Sequence, residues 1–172
     1  ELCKIAVKNN GSALGYTPEE LKTSELCEIA VKQNGKSLEH VKKNFKTSKL
    51  CELAVKQNGL NLMYVPYISK ELCEIAVKQN GCAVYYIPEN IITEELCELA
   101  VKQNSKALKY IPYELRTKKL YELAVKQNGW SLGYTPDKYK TEELCLEAVQ
   151  QNGWILQYVP EELRTKELCE IA

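Results

Sequence analysis

Histidine, phenylalanine and methionine occur once each in this chain of 172 residues, as His40, Phe45 and Met63. A Ser-His-Asp set would have to rest on His40 alone, and a tetrahedral zinc site needs more imidazoles or converging thiolates than a lone His supplies. Glycine (8) and proline (6) are sparse, which excludes a collagen-like or low-complexity chain and leaves no glycine-rich loop to cradle phosphate. Excess charge is missing too, because 23 Lys and Arg balance 23 Asp and Glu. Without a positive field, neither nucleic acid nor an anionic membrane is an expected partner. No apolar run approaches the ~20 residues that span a bilayer, and Glu1-Leu2-Cys3-Lys4-Ile5 lacks the basic-then-apolar layout of a signal peptide. A cytoplasmic protein without metal or cofactor is the expectation.

What the chain does have is self-similarity. Blocks open at Leu2, Leu26, Leu50, Leu72, Leu96, Leu120, Leu144 and Leu168, spaced by 24 residues with one spacing of 22. Such a period marks a repeat architecture. Residues 1–172 read as a single array of seven copies and a partial eighth. The short copy, Leu50 to Glu71, loses its two residues after Pro66, where Tyr67-Ile68-Ser69-Lys70 replaces a longer segment.

The first half of each copy decides the fold. Leu26-x-x-Ile29-x-Val31-x-x-Asn34 imitates a leucine-rich strand, but a strand would turn Cys27 and Ala30 to solvent, and Ala fills its column in every copy. At about 100° per residue, Leu26, Cys27, Ala30, Val31 and Asn34 share one helical face. In the copy Leu144-Cys145-Leu146-Glu147-Ala148, Glu and the aliphatic residue are exchanged. A leucine-rich strand would bury Glu147, whereas on a helix both positions flank the buried face. The expected fold is all-α.

Local signals agree. Thr23, Thr47, Thr93, Thr117, Thr141 and Thr165 stand as N-caps, and the glycine after Asn is expected to supply a left-handed helix stop. Glu28 with Lys32, Glu52 with Lys56, Glu74 with Lys78, Glu98 with Lys102 and Glu122 with Lys126 form i, i+4 pairs worth about 0.2–0.5 kcal/mol each. The second half, such as Ala107-Leu108-Lys109-Tyr110-Ile111, is short and stops at a proline, which is expected to open a further turn at its first position. Each copy becomes a longer helix plus a short broken one, and neighbours must stack into an α-solenoid of helical hairpins with one continuous core.

Ala30-Val31-Lys32-Gln33-Asn34-Gly35 followed by Leu38, and Ala124-Val125-Lys126-Gln127-Asn128-Gly129 followed by Leu132 and Tyr134, resemble the short AVKQNG-type helical tandem repeats of a domain-of-unknown-function family. The resemblance covers the whole chain. It implies tandem arrays serving interaction and brings no catalytic residues. His40 and Lys42 depart from its Tyr and Pro, Ser105 from its Gly, and Tyr121 from its Cys.

Seven of the eight cysteines, all but Cys82, occupy one helical column. Stacked repeats lie ~8–10 Å apart, too far for disulfides between equivalent positions, so these thiols read as small buried hydrophobes of a reducing compartment. The Asn column (Asn10, Asn34, Asn58, Asn80, Asn104, Asn128, Asn152) reads as helix capping, with a backbone-binding ladder for a peptide as the other reading. The Tyr column (Tyr16, Tyr64, Tyr86, Tyr110, Tyr134, Tyr158) reads as core.

Partner specificity is expected where copies differ, because stacking does not dictate those positions. Two such positions lie three apart: Leu60 and Met63, Cys82 and Tyr85, Lys106 and Lys109, Trp130 and Gly133, Trp154 and Gln157. The candidate site is a surface centred on Leu60, Met63, Tyr67 and Tyr85, with a second patch at Trp130 and Trp154, and Tyr113 at the position after proline. The competing reading has Trp130 and Trp154 merely covering backbone, with Gly133 making room for one of them. The array also lacks terminal caps, so a piece of a longer array, or head-to-tail self-association, is expected. The functional expectation is a non-enzymatic scaffold for a protein or peptide; the alternative is a structural spacer or self-stacking rod.

Overall fold

The computed structural model describes residues 1–172. Eight α-helices follow one another: α1 (Leu2–Asn9), α2 (Ser24–Gln33), α3 (Ser48–Gln57), α4 (Lys70–Gln79), α5 (Glu94–Gln103), α6 (Lys118–Gln127), α7 (Glu142–Gln151) and α8 (Lys166–Ile171). Each of α1 to α7 is followed by a six-residue 3₁₀ segment, for example Gly81–Tyr86 or Ser105–Tyr110. No strand is present. Successive helices pack on one another, α1 to α7 also pack on the 3₁₀ segments beside them, and successive six-residue 3₁₀ segments pack on one another. The protein is an all-α tandem-repeat solenoid.

The helical face is the one the periodicity defines. Leu26, Cys27, Ala30 and Val31 are buried, as are Leu96, Cys97, Ala100 and Val101 in a later copy. Leu146 and Glu147 are both half-buried, so their exchange costs neither an apolar contact nor a stranded carboxylate. Thr23, Thr47, Thr93, Thr141 and Thr165 cap their helices by accepting from the amide three residues on, and Ser69 does the same at the short copy. Thr117 departs from the expected pattern: its side chain makes no cap bond, and its carbonyl accepts from Leu120 N–H instead. The expected Glu122–Lys126 pair is replaced by Glu122 with Lys118 at 3.4 Å, while the other four form.

Asn is the hinge between the two halves. Its backbone is extended, with φ −153° at Asn80, yet its N–H still bonds the Ala76 carbonyl, and its side chain accepts from the Cys82 amide. The same side-chain bond recurs from Asn10 to Asn152. One residue thereby ends the α-helix and starts the 3₁₀ segment.

The glycine after Asn is not a left-handed stop, since no glycine has positive φ. At Gly59 and Gly81 it answers a close approach between copies, although Ser105 fills the same column with a side chain. A Cβ on Gly59 would lie 2.1 Å from the Ala76 carbonyl oxygen, and one on Gly81 2.2 Å from that of Ala100. The helix of the next copy presses directly on this backbone.

The prolines also differ from expectation. Pro88 precedes the turn Glu89–Ile91 as its cap, with φ −58° and ψ 137°, rather than occupying its first position. Lys42 takes up the same geometry without a ring, φ −59° and ψ 142°. After Pro66 no such turn forms, so the missing two residues are taken from this element.

The Gln column, to which the sequence drew no notice, ties copies together. Gln57 donates from Nε2 to the Val31 carbonyl at 2.8 Å and accepts the Gly35 N–H on Oε1 at 2.7 Å. Gln151 does likewise with Val125 and Gly129. Each amide thus satisfies a helix-end carbonyl and an otherwise orphaned N–H of the preceding copy. Lysines add a second tie, from Lys46 Nζ to the Tyr64 carbonyl at 2.9 Å and from Lys140 Nζ to that of Tyr158 at 2.8 Å.

Candidate partner-binding surface

A 3₁₀ helix has three residues per turn, so its side chains line up at i and i+3. The seven short segments accordingly carry three ridges. Gly81 and Val84, continued by Ile87, point inward and are buried; Ala83 and Tyr86 form a side ridge; Cys82 and Tyr85 form the outer ridge. The variable pairs inferred from the sequence are this outer ridge. Its second member, from Gly15 through Glu39, Met63, Tyr85, Lys109 and Gly133 to Gln157, is exposed in every copy.

The predicted site residues divide over that surface. Met63 is 50% exposed, Tyr85 62%, Trp130 43% and Trp154 77%. Leu60 is half-buried and packs against the core, which leaves it little to offer a partner. Tyr85 packs on Tyr86 and Tyr110 with ring centroids 5.1 and 5.2 Å away. Tyr67 does not join it. Its ring lies under Lys43 Nζ at 5.5 Å and lines a small cleft with Cys51 of α3 and Glu71 and Ile75 of α4. The expected four-residue patch is therefore two surfaces, because the residue after proline belongs to the segment entering the next helix. Tyr113 holds the equivalent place after Pro112 and is exposed.

The Tyr column is core only in part: Tyr64, Tyr86, Tyr110 and Tyr158 pack against it, and Tyr16 and Tyr134 do not. Tyr16 is 93% exposed and Tyr134 72%; the other four are half-buried. Tyr110 leans on Tyr85 of the preceding copy, and Tyr158 on Trp130. A Cβ on Gly133 would meet the Tyr158 ring at 3.3 Å, and one on Gly15 would meet the His40 ring at 2.9 Å. Gly133 thus makes room for Tyr158 rather than for a tryptophan; Trp130 packs on the same Tyr158 ring with an interplanar angle of 72°. The signal for this exposure was the spacing of three among Gly81, Val84 and Ile87, which already occupies the inward ridge.

Charge on this surface is local. Lys109 Nζ sits 4.6 Å from the Tyr110 ring centroid. Lys102 and Lys119, by contrast, are both engaged by Glu98 on the helical side. A cleft of about 460 Å³ between α2 and α3 is walled by Glu28, Lys32, Glu52 and Lys56, which pair with one another along their own helices. No group of three or more His, Cys, Asp or Glu comes together in a geometry that could hold a metal ion, and no helix is long and apolar enough to cross a membrane.

All eight cysteines are free thiols. Burial pushes Cys73 and Cys97 up to about 11, so neither carries an appreciable thiolate near neutrality. Disulfide-exchange labelling of the folded protein at pH 8 should titrate only Cys3, Cys82 and Cys169, which are half-buried or exposed. Cys27, Cys51, Cys73, Cys97 and Cys145 should react only on unfolding. Uniform labelling of all thiols in the folded state would contradict the buried column.

No curated protein and no solved structure matches the chain. The family described as Domain of unknown function (DUF4116) matches it repeatedly, over residues 1–46, 48–92, 69–116, 93–140, 117–164 and 141–172. The first five matches each span roughly two neighbouring copies, and the last reaches from one helix to the next; one helix, its 3₁₀ segment and the next helix are the elements that bury each other. With the whole array covered by these overlapping matches, the chain belongs to the DUF4116 family of tandem helical repeats.

Proposed function

We propose that the array is a non-enzymatic scaffold that holds a protein or peptide against the outer ridge of its 3₁₀ segments. The observation that carries this reading is the placement of Met63, Tyr85, Trp130 and Trp154. They are large, apolar or aromatic and solvent-exposed; other copies place Gly15, Glu39 or Lys109 at the position of Met63 and Tyr85, and Ser12, Lys36 or Lys106 at the position of Trp130 and Trp154, with the stacking undisturbed. Residues that packing does not require, set on a rigid ridge, can anchor a partner with little ordering cost.

Selection from a displayed random-peptide library tests it. Enriched sequences should converge on a shared pattern and bind the intact array. They should fail to bind a Tyr85→Ala, Trp130→Ala, Trp154→Ala variant whose unfolding midpoint stays within about 4 °C of the parent, as truncations on an exposed ridge allow. A library that never converges, or winners that bind the variant equally well, would overturn the scaffold reading.

A further inference from the structure

The outer ridge is chemically uneven. Across the five consecutive segments Gly59–Tyr64, Gly81–Tyr86, Ser105–Tyr110, Gly129–Tyr134 and Gly153–Tyr158 there is no Asp or Glu, and the only charged residues are Lys106 and Lys109. These two lie three apart on the outer ridge of one 3₁₀ segment, so their side chains are aligned. Both are exposed. The groups that bear on Lys109 are Tyr110, Cys82 and Tyr134, with no carboxylate among them.

Aromatic surface borders the pair on both sides. In the preceding copy Tyr85 is held by Tyr86 and Tyr110; in the following copy Trp130 is held by Tyr158. Rings fixed in this way offer apolar area without being immobilised anew on binding. Resting on the scaffold reading above, we infer that this stretch takes a short acidic peptide: its carboxylates meet Lys106 and Lys109, and apolar side chains flanking them rest on Tyr85 and Trp130.

The span agrees with such a ligand. Two repeat steps of ~8–10 Å separate the flanking copies, and an extended chain covers ~3.3–3.6 Å per residue, so about five or six residues reach from one ring to the other. A nucleic acid strand fits the ridge less well. It would bring a phosphate with every nucleotide, against two cations on a chain of net charge zero. A peptide can confine its charge to the middle and present apolar groups at the ends.

Fluorescence anisotropy with a fluorescein-labelled peptide Gly-Phe-Glu-Asp-Glu-Phe-Gly, its neutral counterpart Gly-Phe-Gln-Asn-Gln-Phe-Gly and a labelled six-nucleotide oligothymidine tests the inference on the full chain. At low ionic strength the acidic peptide should bind about tenfold tighter than the neutral one, a preference that salt erodes. A Lys106→Gln, Lys109→Gln variant should lose that preference with its thermal unfolding unchanged, whereas Lys36→Gln, on the same ridge beside Glu39, should keep it. Equal binding of the two peptides, an unaltered preference in the double variant, binding of neither peptide, or tighter binding of the oligonucleotide would each overturn the acidic-peptide inference. If both peptides bind equally and Tyr85→Ala abolishes both, the scaffold reading stands while this inference falls.

Discussion

Replacing Tyr121 with alanine should destabilise the array by about 3–5 kcal/mol, the range found for removing a large buried aromatic ring. Tyr121 stands where other copies place Cys, is only 1% exposed, and packs on Tyr139 at 5.6 Å between ring centroids. Tyr139 is itself a departure, occupying the position of Leu115 and Leu163. Two enlarged residues fill this layer together. Tyr121→Cys should therefore cost nearly as much as Tyr121→Ala, although Cys is the residue of the other copies, because the smaller side chain leaves the same void. Thermal denaturation followed by far-UV circular dichroism should show the midpoint falling by roughly 10 °C or more, with Tyr121→Phe close to the parent. A midpoint unmoved by Tyr121→Ala would mean that the layer collapses around the gap.

Gly81→Ala is expected to be comparably damaging for the opposite reason. Its new methyl group would sit 2.2 Å from the Ala100 carbonyl oxygen and 3.1 Å from Gln103 Oε1. The first of these is backbone in the middle of the next helix and cannot step aside, so the two copies must separate. The separation also strains the bond from the Gly81 N–H to Gln103. Overpacking of this kind costs about 1–3 kcal/mol and sometimes more; here the upper end is expected. Gly133→Ala is the control. Its methyl group would meet only the edge of the Tyr158 ring at 3.3 Å, a side chain that can yield. Urea unfolding should show a clear loss for Gly81→Ala and a change below about 0.5 kcal/mol for Gly133→Ala. Equal effects at the two sites would refute a contact-limited role for Gly81, the equivalent of which is a serine at Ser105.

The helical face, the capping threonines other than Thr117 and the capping role of Asn were legible in the sequence because each is local. They depend on a residue and its neighbours within one or two turns. The candidate surface was legible in part. Met63, Tyr85, Trp130 and Trp154 vary between copies and are exposed, as that variation implies. Leu60 was not distinguishable from them by pattern alone, since its half-burial depends on contacts beyond its own segment. Tyr67 and Tyr85 are both large residues at variable positions, but a proline and an extended residue stand between the 3₁₀ ridge and the segment entering α4. The recurrent Tyr looked like core because it recurs. Four of the six rings do pack against the core edge, while Tyr16 and Tyr134 reach solvent, and Tyr110 and Tyr158 also lie across the ridge of the preceding copy.

By itself the sequence determined a ladder of short helices, their buried faces and the positions free to differ, because hydrogen bonding and side-chain period within a helix are properties of a single segment. Only the tertiary structure decided why a glycine follows Asn in six of the seven full copies, what the Gln column binds, and which aromatic rings reach solvent. Those features depend on how closely one copy approaches the next, a distance set jointly by two surfaces and written in neither alone.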